Sequence, residues 1–125
     1  IALGAAGVVA LDIDPTAVTV TRENAQRNAM GDRVVARVGS AGNAGGRYPF
    51  VLANIEARIL GPMAEELAAA VAPGGTLILS GILASEHDAM VKQYGELGFV
   101  HTQTARRGEA AGEAWVAIAM TGPMR

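Results

Sequence analysis

The sequence contains no cysteine, which excludes disulfide frameworks, cysteine-ligated zinc, iron–sulfur clusters and thiol catalysis. It also lacks an excess of basic residues. The formal net charge is −2 at pH 7, so no electrostatic footprint indicates nucleic acid or an anionic membrane as a partner. No apolar run approaches the roughly 20 residues that a membrane-spanning helix needs. These absences fit a protein of a reducing compartment, with no direct nucleic-acid or membrane partner.

Aromatic side chains are scarce, with one Trp, two Tyr and two Phe among 125 residues. Hydrophobic residues still make up 50% of the chain, and much of that share is alanine. We therefore expect a thin core with closely packed backbones. Sixteen glycines and 18% charged residues suit a folded α/β domain, and the apolar share is too high for disorder. The length allows one compact domain, and no linker or repeat indicates an internal boundary.

Short apolar runs alternate with longer amphipathic segments, which is typical of an α/β protein whose parallel strands are buried on both faces. The predicted strands are Val8–Leu11, Val34–Val38, Phe50–Asn54, Thr76–Ser80, Phe99–Thr104 and Ala114–Met120. The predicted helices are a last turn at Ile1–Ala6, then Pro15–Met30, Pro62–Val71 and a helix that Ser85 caps and Gly98 stops. This order predicts parallel pairing through right-handed crossovers. The last two strands, joined by a polar turn at Arg106–Glu109, predict an antiparallel hairpin.

Polar residues stand at the ends of the predicted parallel strands, where open α/β sheets bind their ligands. The set comprises Asp12, Asp14, Gly39, Ser40, Asn54, Ser80 and Gly81. Asp12 is placed to accept both hydroxyl hydrogens of a ribose, or it serves as an ordinary loop or capping aspartate. Asp14 is better explained as the N-cap of a helix whose first residue is Pro15. Ile13 would lie against a flat base or take part in ordinary packing.

Asn54 ends a strand whose other residues are apolar. Its carboxamide both donates and accepts hydrogen bonds, so it would orient an amine nucleophile or cap the segment that follows, and both interpretations stay open. His87 and His101 are the two histidines, and no further metal-ligating residues stand near them at a motif spacing. We therefore predict no metal site, with a histidine general base as a further alternative.

Two groups of residues resemble class I S-adenosylmethionine-dependent methyltransferases. Asp12–Val18, with Glu23-Asn24-Ala25 and Asn28, looks like the second motif of that class. The second group is Phe50–Ile55, Pro73-Gly74-Gly75, Leu77–Leu83 and Glu113–Val116, within which the combination of Ala53-Asn54-Ile55 and Ser80-Gly81-Ile82-Leu83 is the more specific. Together they resemble the C-terminal catalytic domain of the ribosomal protein L11 methyltransferase family, in the right order and over nearly the whole chain.

The resemblance implies a Rossmann-like class I methyltransferase sheet, mostly parallel with a C-terminal antiparallel hairpin. It also implies a cytoplasmic enzyme that uses S-adenosylmethionine to N-methylate amines of ribosomal protein L11. Asp12 would bind the ribose hydroxyls of that cofactor, Ile13 would pack on the adenine, and Gly39 and Ser40 would line the adenine end. Asn54 would lie near the methyl group and the incoming amine, as both a cofactor-binding and a catalytic residue.

The sequence also departs from the family's pattern. No G-x-G-x-x-G turn or P-loop follows a strand, so the first strand with its glycine-rich turn and the family's N-terminal domain are expected to lie outside it. Residues 1–125 are thus predicted to be a partial catalytic domain. The missing strand would lie between Val8–Leu11 and Phe50–Asn54, whose unpaired edges would favour self-association. Glu56 stands where family members often carry an apolar or aromatic residue.

Three alternatives remain beside this interpretation. The first is a small-molecule methyltransferase of the same fold. The second is a nicotinamide-binding oxidoreductase, against which the terminal hairpin and Pro73-Gly74-Gly75 argue. The third is a non-catalytic remnant that survives as an interaction or structural module.

Overall fold

A computed structural model describes residues 7–43, 45–108 and 114–124. The helical turn predicted at Ile1–Ala6 lies outside these residues. The chain divides into two compact units, Ile1–Gly45 and Gly46–Arg125, and each is described by itself. Within the described ranges, every helix is too short or too polar to cross a membrane.

The described residues of the first unit form a pair of parallel strands and one helix. Strand β1 (Val8–Asp12) is followed by helix α1 (Pro15–Arg27), strand β2 (Val34–Val38) and a 3₁₀ turn at Ala41–Asn43. The two strands pair in register from Val8 opposite Val34 to Asp12 opposite Val38. Because β1 and β2 are parallel, their carboxyl ends lie at the same edge of the pair.

Helix α1 starts where the sequence predicts and ends earlier. The Asp14 side chain accepts a hydrogen bond from the Thr16 N–H at 2.9 Å, as an N-cap does, and Pro15 occupies the first turn. The helix ends at Arg27 rather than Met30. The Asn28 side chain donates to the Asn24 carbonyl at 2.8 Å, and Ala29 takes a left-handed conformation with φ 57°. Ala29, which the predicted range Pro15–Met30 included, is therefore exposed and outside the helix.

The second unit contains a four-stranded sheet with helices between its strands. Its strands are β3 (Tyr48–Asn54), β4 (Val71–Leu83), β5 (Val100–Arg107) and β6 (Trp115–Thr121). They lie in the order β3-β4-β6-β5, with β3 parallel to β4 and β6 antiparallel to both of its neighbours. The predicted α/β class and the C-terminal antiparallel pair are confirmed.

The helix predicted at Pro62–Val71 is shorter in the structure, and a further short helix that was not predicted precedes it. Helix α2 (Ala57–Leu60) and helix α3 (Ala64–Ala70) flank a turn, and Val71 begins β4 instead of ending a helix. Pro73-Gly74-Gly75 forms an irregularity within β4. There the register moves from Tyr48 opposite Val71 to Phe50 opposite Thr76, and Gly74 has a φ of 70°.

The C-terminal residues of the second unit form hydrogen bonds with the backbone of this irregular segment. The Gly74 N–H donates to the Pro123 carbonyl at 3.1 Å, and the Gly122 N–H donates to the Gly75 carbonyl at 2.8 Å. A Cβ at Gly75 would lie 3.0 Å from the Pro49 carbonyl oxygen, so the beginning of β3 reaches the same place. Glycine is required at position 75 because a side chain has no room between these backbones.

Two boundaries near the C-terminus differ from the prediction. Helix α4 (His87–Glu96) begins after a 3₁₀ turn at Ala84–Glu86, so Ser85 is not its N-cap. In that turn the Glu86 carboxylate accepts the Leu83 N–H at 2.9 Å. Arg106 and Arg107 lie in β5 rather than in a turn, because they pair with the first residues of β6. Both arginines are exposed, as expected.

The core of the second unit lies on one face of its sheet, where α2 and α3 contact β4 and α4 contacts β6. Its fully buried side chains are Leu60, Val71, Leu77, Leu79, Ile82, Tyr94, Ile118 and Met120. The Tyr94 hydroxyl donates to the Leu60 carbonyl at 3.0 Å, and burial raises the pKa of Tyr94 to about 12. Its ring meets that of Phe99 edge to face. Alanine fills much of the remaining core, as the composition predicts.

Four strands, β1, β2, β3 and β5, pair on one side only in the part of the chain that the structure describes, and two of them are the strands predicted to have open edges. Strand β1 pairs with β2 alone, and β3 pairs with β4 alone. On β3, Phe50 and Leu52 share one face and are 56% and 68% exposed. Self-association through these edges stays a prediction.

Candidate functional site

Asp12 lies at the carboxyl end of β1, where the first unit presents its polar groups. One carboxylate oxygen accepts the Asp14 N–H at 2.9 Å, and the Asp12 carbonyl accepts the Gly39 N–H at 2.9 Å. The side chain is exposed, and no other described residue donates to its carboxylate. One oxygen is thus held by the turn while the other is available to a ligand hydroxyl.

Ile13, Gly39 and Ser40 lie at the same edge of the β1–β2 pair. Ile13 is 78% exposed, so packing within the described chain does not account for this apolar side chain. Gly39 is held against the end of β1 by its hydrogen bond to Asp12, and Ser40 follows it half-buried before the 3₁₀ turn. The structure therefore brings four of the five predicted site residues together in the first unit.

Asn54, the fifth predicted residue, lies in the second unit at the carboxyl end of β3. It stands opposite Ser80 of β4, and the next N–H, that of Ile55, donates to the Ser80 carbonyl at 3.2 Å. The N-cap of α2 is Glu56, so the interpretation of Asn54 as the helix cap is wrong. The Asn54 side chain is exposed, and no hydrogen bond joins its carboxamide to any described residue. Its donor and acceptor are available to a ligand.

Gly81 determines where the Asn54 carboxamide lies. A Cβ at Gly81 would fall 2.8 Å from the Asn54 Oδ1, and the Gly81 φ of 76° is one that L side chains rarely adopt. Sequence analysis placed Gly81 at a strand end without recognising this contact. A glycine directly after a buried strand was the available signal.

Glu56 and Arg58 form an ion pair just beyond Asn54. The Arg58 Nε donates to the Glu56 Oε2 at 2.6 Å, and the two side chains are 74% and 65% exposed, respectively. Glu56 occupies the N-cap position of α2, yet its carboxylate does not bond the helix N–H groups. Its position was noted in the sequence, but the ion pair was not foreseen.

The two histidines meet at Thr104 of β5. The His87 Nε2 and the His101 Nε2 lie 2.8 and 2.7 Å from the Thr104 Oγ1, and the His87 Nδ1 lies 2.8 Å from the Asp88 Oδ1. The imidazole centroids are 5.4 Å apart. A hydroxyl carries one proton, so Thr104 donates to one ring at most. When it donates to one ring, the other ring must donate to it for both hydrogen bonds to form.

This histidine network lines part of a cavity of about 340 Å³ that also includes Arg106 and Val116. Both imidazoles hydrogen-bond protein groups. Among residues 7–43, 45–108 and 114–124, no three His, Asp or Glu side chains form a group that could hold a metal ion.

The fold is that of class I methyltransferases. A solved structure from Lactobacillus delbrueckii subsp. bulgaricus, titled as a ribosomal protein L11 methylase, matches with a TM-score of 0.85 and 26% identity. The match covers 98% of this chain and 61% of that one. The tRNA m1G37 methyltransferase of M. jannaschii matches with a TM-score of 0.82 over 95% of this chain and 38% of its own, at 14% identity. That second likeness shows the fold alone.

The family model described as ribosomal protein L11 methyltransferase (PrmA) matches residues 1–122, and the chain belongs to this family. The protein of that name from Sorangium cellulosum is 44% identical over 97% of this chain, and the one from Methylococcus capsulatus is 45% identical over 94%. The chain spans 43% and 38% of the length of these two relatives. The resemblance drawn from the sequence is confirmed, and the oxidoreductase alternative is not favoured.

Proposed function

We propose that the protein containing this chain transfers methyl groups from S-adenosylmethionine to amines of ribosomal protein L11. The observation that carries the proposal is the family match over residues 1–122. Residues 1–125 then contribute part of the catalytic domain. The relatives' shared name supports L11 as the acceptor, and the available carboxamide of Asn54 supports an amine as the reacting group.

The first unit supplies groups that fit the nucleoside part of the methyl donor. The free carboxylate oxygen of Asp12 accepts a ribose hydroxyl, and the exposed side chain of Ile13 covers one face of the adenine. Gly39 and Ser40 line the adenine end, next to the turn at Ala41–Asn43. The Asp14 carboxylate caps α1.

Asn54 orients the acceptor. The donor supplies a methyl group on a sulfonium, so one N–C bond forms while one C–S bond breaks. The amine gives its proton to solvent water before it attacks, the Asn54 Oδ1 accepts a hydrogen bond from the neutral amine and directs its lone pair, and the methylated nitrogen takes over the positive charge of the sulfonium. Holding the nucleophile in this orientation lowers the entropic part of the barrier. The absence of a side chain at Gly81 leaves room for the carboxamide in this position.

The direct test uses the full-length protein, meaning the longest natural polypeptide that contains this chain. It is incubated with isotope-labelled S-adenosylmethionine and purified ribosomal protein L11. We expect label on L11 amines, and we expect Asn54→Ala to lower kcat/KM about 10- to 100-fold, the range for an orienting hydrogen bond of 1.4–2.8 kcal/mol. Asn24→Ala, an exposed carboxamide on α1, is the matched control and should retain activity.

Two results would contradict the proposal. If the protein binds S-adenosylmethionine but L11 stays unlabelled, L11 is excluded as the substrate. Equal activity of the Asn54→Ala and Asn24→Ala variants would remove Asn54 from the site.

A further inference from the structure

Glu56 places a carboxylate immediately beyond the proposed acceptor residue. Asn54 ends β3, and Glu56 follows two positions later as the N-cap of α2, with φ −58° and ψ 146°. An N-cap side chain commonly bonds the first helical N–H groups, but the Glu56 carboxylate does not. This charge does not cap the helix and remains at the exposed surface.

The partner of Glu56 is itself a cation on an exposed side chain. Arg58 touches Glu56 through Nε alone, in a single hydrogen bond of 2.6 Å rather than a two-pronged pair. Exposed ion pairs of this kind contribute little net stability, so another cation exchanges with Arg58 at low cost. Among the described residues, Arg58 is the one cation that contacts this carboxylate.

Free alkyl amines reach the enzyme as ammonium ions, because their ordinary pKa lies near 10. A carboxylate beside Asn54 attracts that charge, and the ammonium forms with Glu56 the contact that Arg58 makes in the free protein. We propose that Glu56 is a specificity-determining residue that recruits cationic amines to Asn54, with Arg58 as an exchangeable stand-in for the substrate. This inference rests on the proposed function and assigns Glu56 no part in bond formation.

The experiment compares three variants of the full-length protein with purified L11 as substrate. Glu56→Gln removes the charge, Arg58→Gln removes the competitor, and the double variant removes both. Glu65→Gln, an exposed carboxylate in the first turn of α3, is the matched control. All three substitutions lie on exposed side chains, and a thermal unfolding curve for each of the four variants confirms that it is folded.

We expect Glu56→Gln to raise the KM for L11 about two- to fivefold, the range for one exposed charge pair, with kcat changed less than twofold. Arg58→Gln should lower KM, and this gain should disappear in the double variant because the two side chains act as a pair. Raising the salt concentration should raise the KM of the unmodified protein more than that of Glu56→Gln.

A KM for Glu56→Gln that equals that of Glu65→Gln would overturn the inference. So would a fall in kcat at constant KM, or a gain from Arg58→Gln that persists without Glu56. These results are distinct from failure of the proposed function, in which the unmodified protein would leave L11 unmethylated.

Discussion

Replacing Gly81 with alanine tests whether the position of the Asn54 carboxamide matters for amine methylation. The new Cβ would lie 2.8 Å from the Asn54 Oδ1 and 3.5 Å from the Ile55 backbone. The Ile55 contact is of ordinary length, so the clash falls on the carboxamide. Since Asn54 is exposed, its side chain can rotate away, and the substitution should displace the functional group while the sheet stays folded.

The effect on stability follows from the backbone conformation. A left-handed φ of 76° costs alanine about 1–2 kcal/mol. The lower entropy of the unfolded chain returns about 0.4–1 kcal/mol. The free energy of unfolding should therefore fall by about 1 kcal/mol, whereas kcat/KM should fall towards the value of Asn54→Ala. Adding Asn54→Ala to Gly81→Ala should cause little further loss, because both changes remove the same orienting group.

Two glycines of the same unit serve as controls. Gly98 has a φ of 93°, and an added Cβ would meet Pro123 at 3.3 Å, so Gly98→Ala imposes backbone strain away from Asn54. Gly95 lies in α4 with open space around its Cβ position, so Gly95→Ala should stabilise the protein by about 0.5–1 kcal/mol. Urea unfolding gives the stabilities, and methylation of L11 below its KM gives kcat/KM.

The reasoning is refuted if Gly81→Ala methylates L11 as well as the unmodified protein. It is equally refuted if Gly98→Ala loses as much activity as Gly81→Ala, since the loss would then follow strain instead of the carboxamide. An additive effect of Gly81→Ala and Asn54→Ala would show that the two positions act separately.

Asp12→Ala should weaken binding of S-adenosylmethionine by about 1.5–3 kcal/mol in calorimetry, whereas Asp14→Ala should lower the free energy of unfolding by about 0.5–2 kcal/mol and leave the affinity unchanged; equal affinities of the two variants would disprove the assignment of Asp12. Tyr94→Phe should cost about 1 kcal/mol of stability by leaving the Leu60 carbonyl unpaired. Because the folded-state pKa of Tyr94 is raised from 10.0 to about 12, the protein should lose stability between pH 10 and pH 12, and a Tyr94→Phe variant with the same loss would contradict this. Thr104→Val should change the ¹⁵N shifts of both imidazoles at pH 7 and lower stability by about 0.5–1 kcal/mol, and unchanged shifts would show that the shared hydroxyl does not couple the rings.

Local patterns in the sequence were sufficient where neighbouring residues decide the structure. Val34–Val38 forms the predicted strand because it is a short β-branched run between turns, and Asp14-Pro15 starts a helix through a side-chain cap and a fixed φ. Asp12 and Asn54 were identifiable as site candidates because both end apolar strands, and parallel strands present their carboxyl ends to ligands.

Features that depend on distant partners were missed. Helix α2 has four residues, too few to show a periodic apolar pattern, and Gly61-Pro62 separates it from α3. Strand β4 extends to Leu83 because Leu83 pairs with Trp115 of β6, a partner that the local sequence does not indicate. The contacts of Thr104 with the histidines and of Gly81 with Asn54 depend on sheet register in the same way.

Gly122 and Pro123 form hydrogen bonds with Pro73-Gly74-Gly75. The C-terminal residues of the second unit therefore lie close to the beginning of its first strand. Pro49, near the start of β3, and Gly122, after β6, both flank the backbone of Gly75. The chain from Tyr48 to Met124 therefore starts and ends at neighbouring positions. Joining its ends through a short flexible linker would stretch neither strand, and the loop-closure entropy would be small because the fold already holds the ends close. This closeness of the two ends suits circular permutation, in which the old ends are joined and new termini are made at another position in the unit.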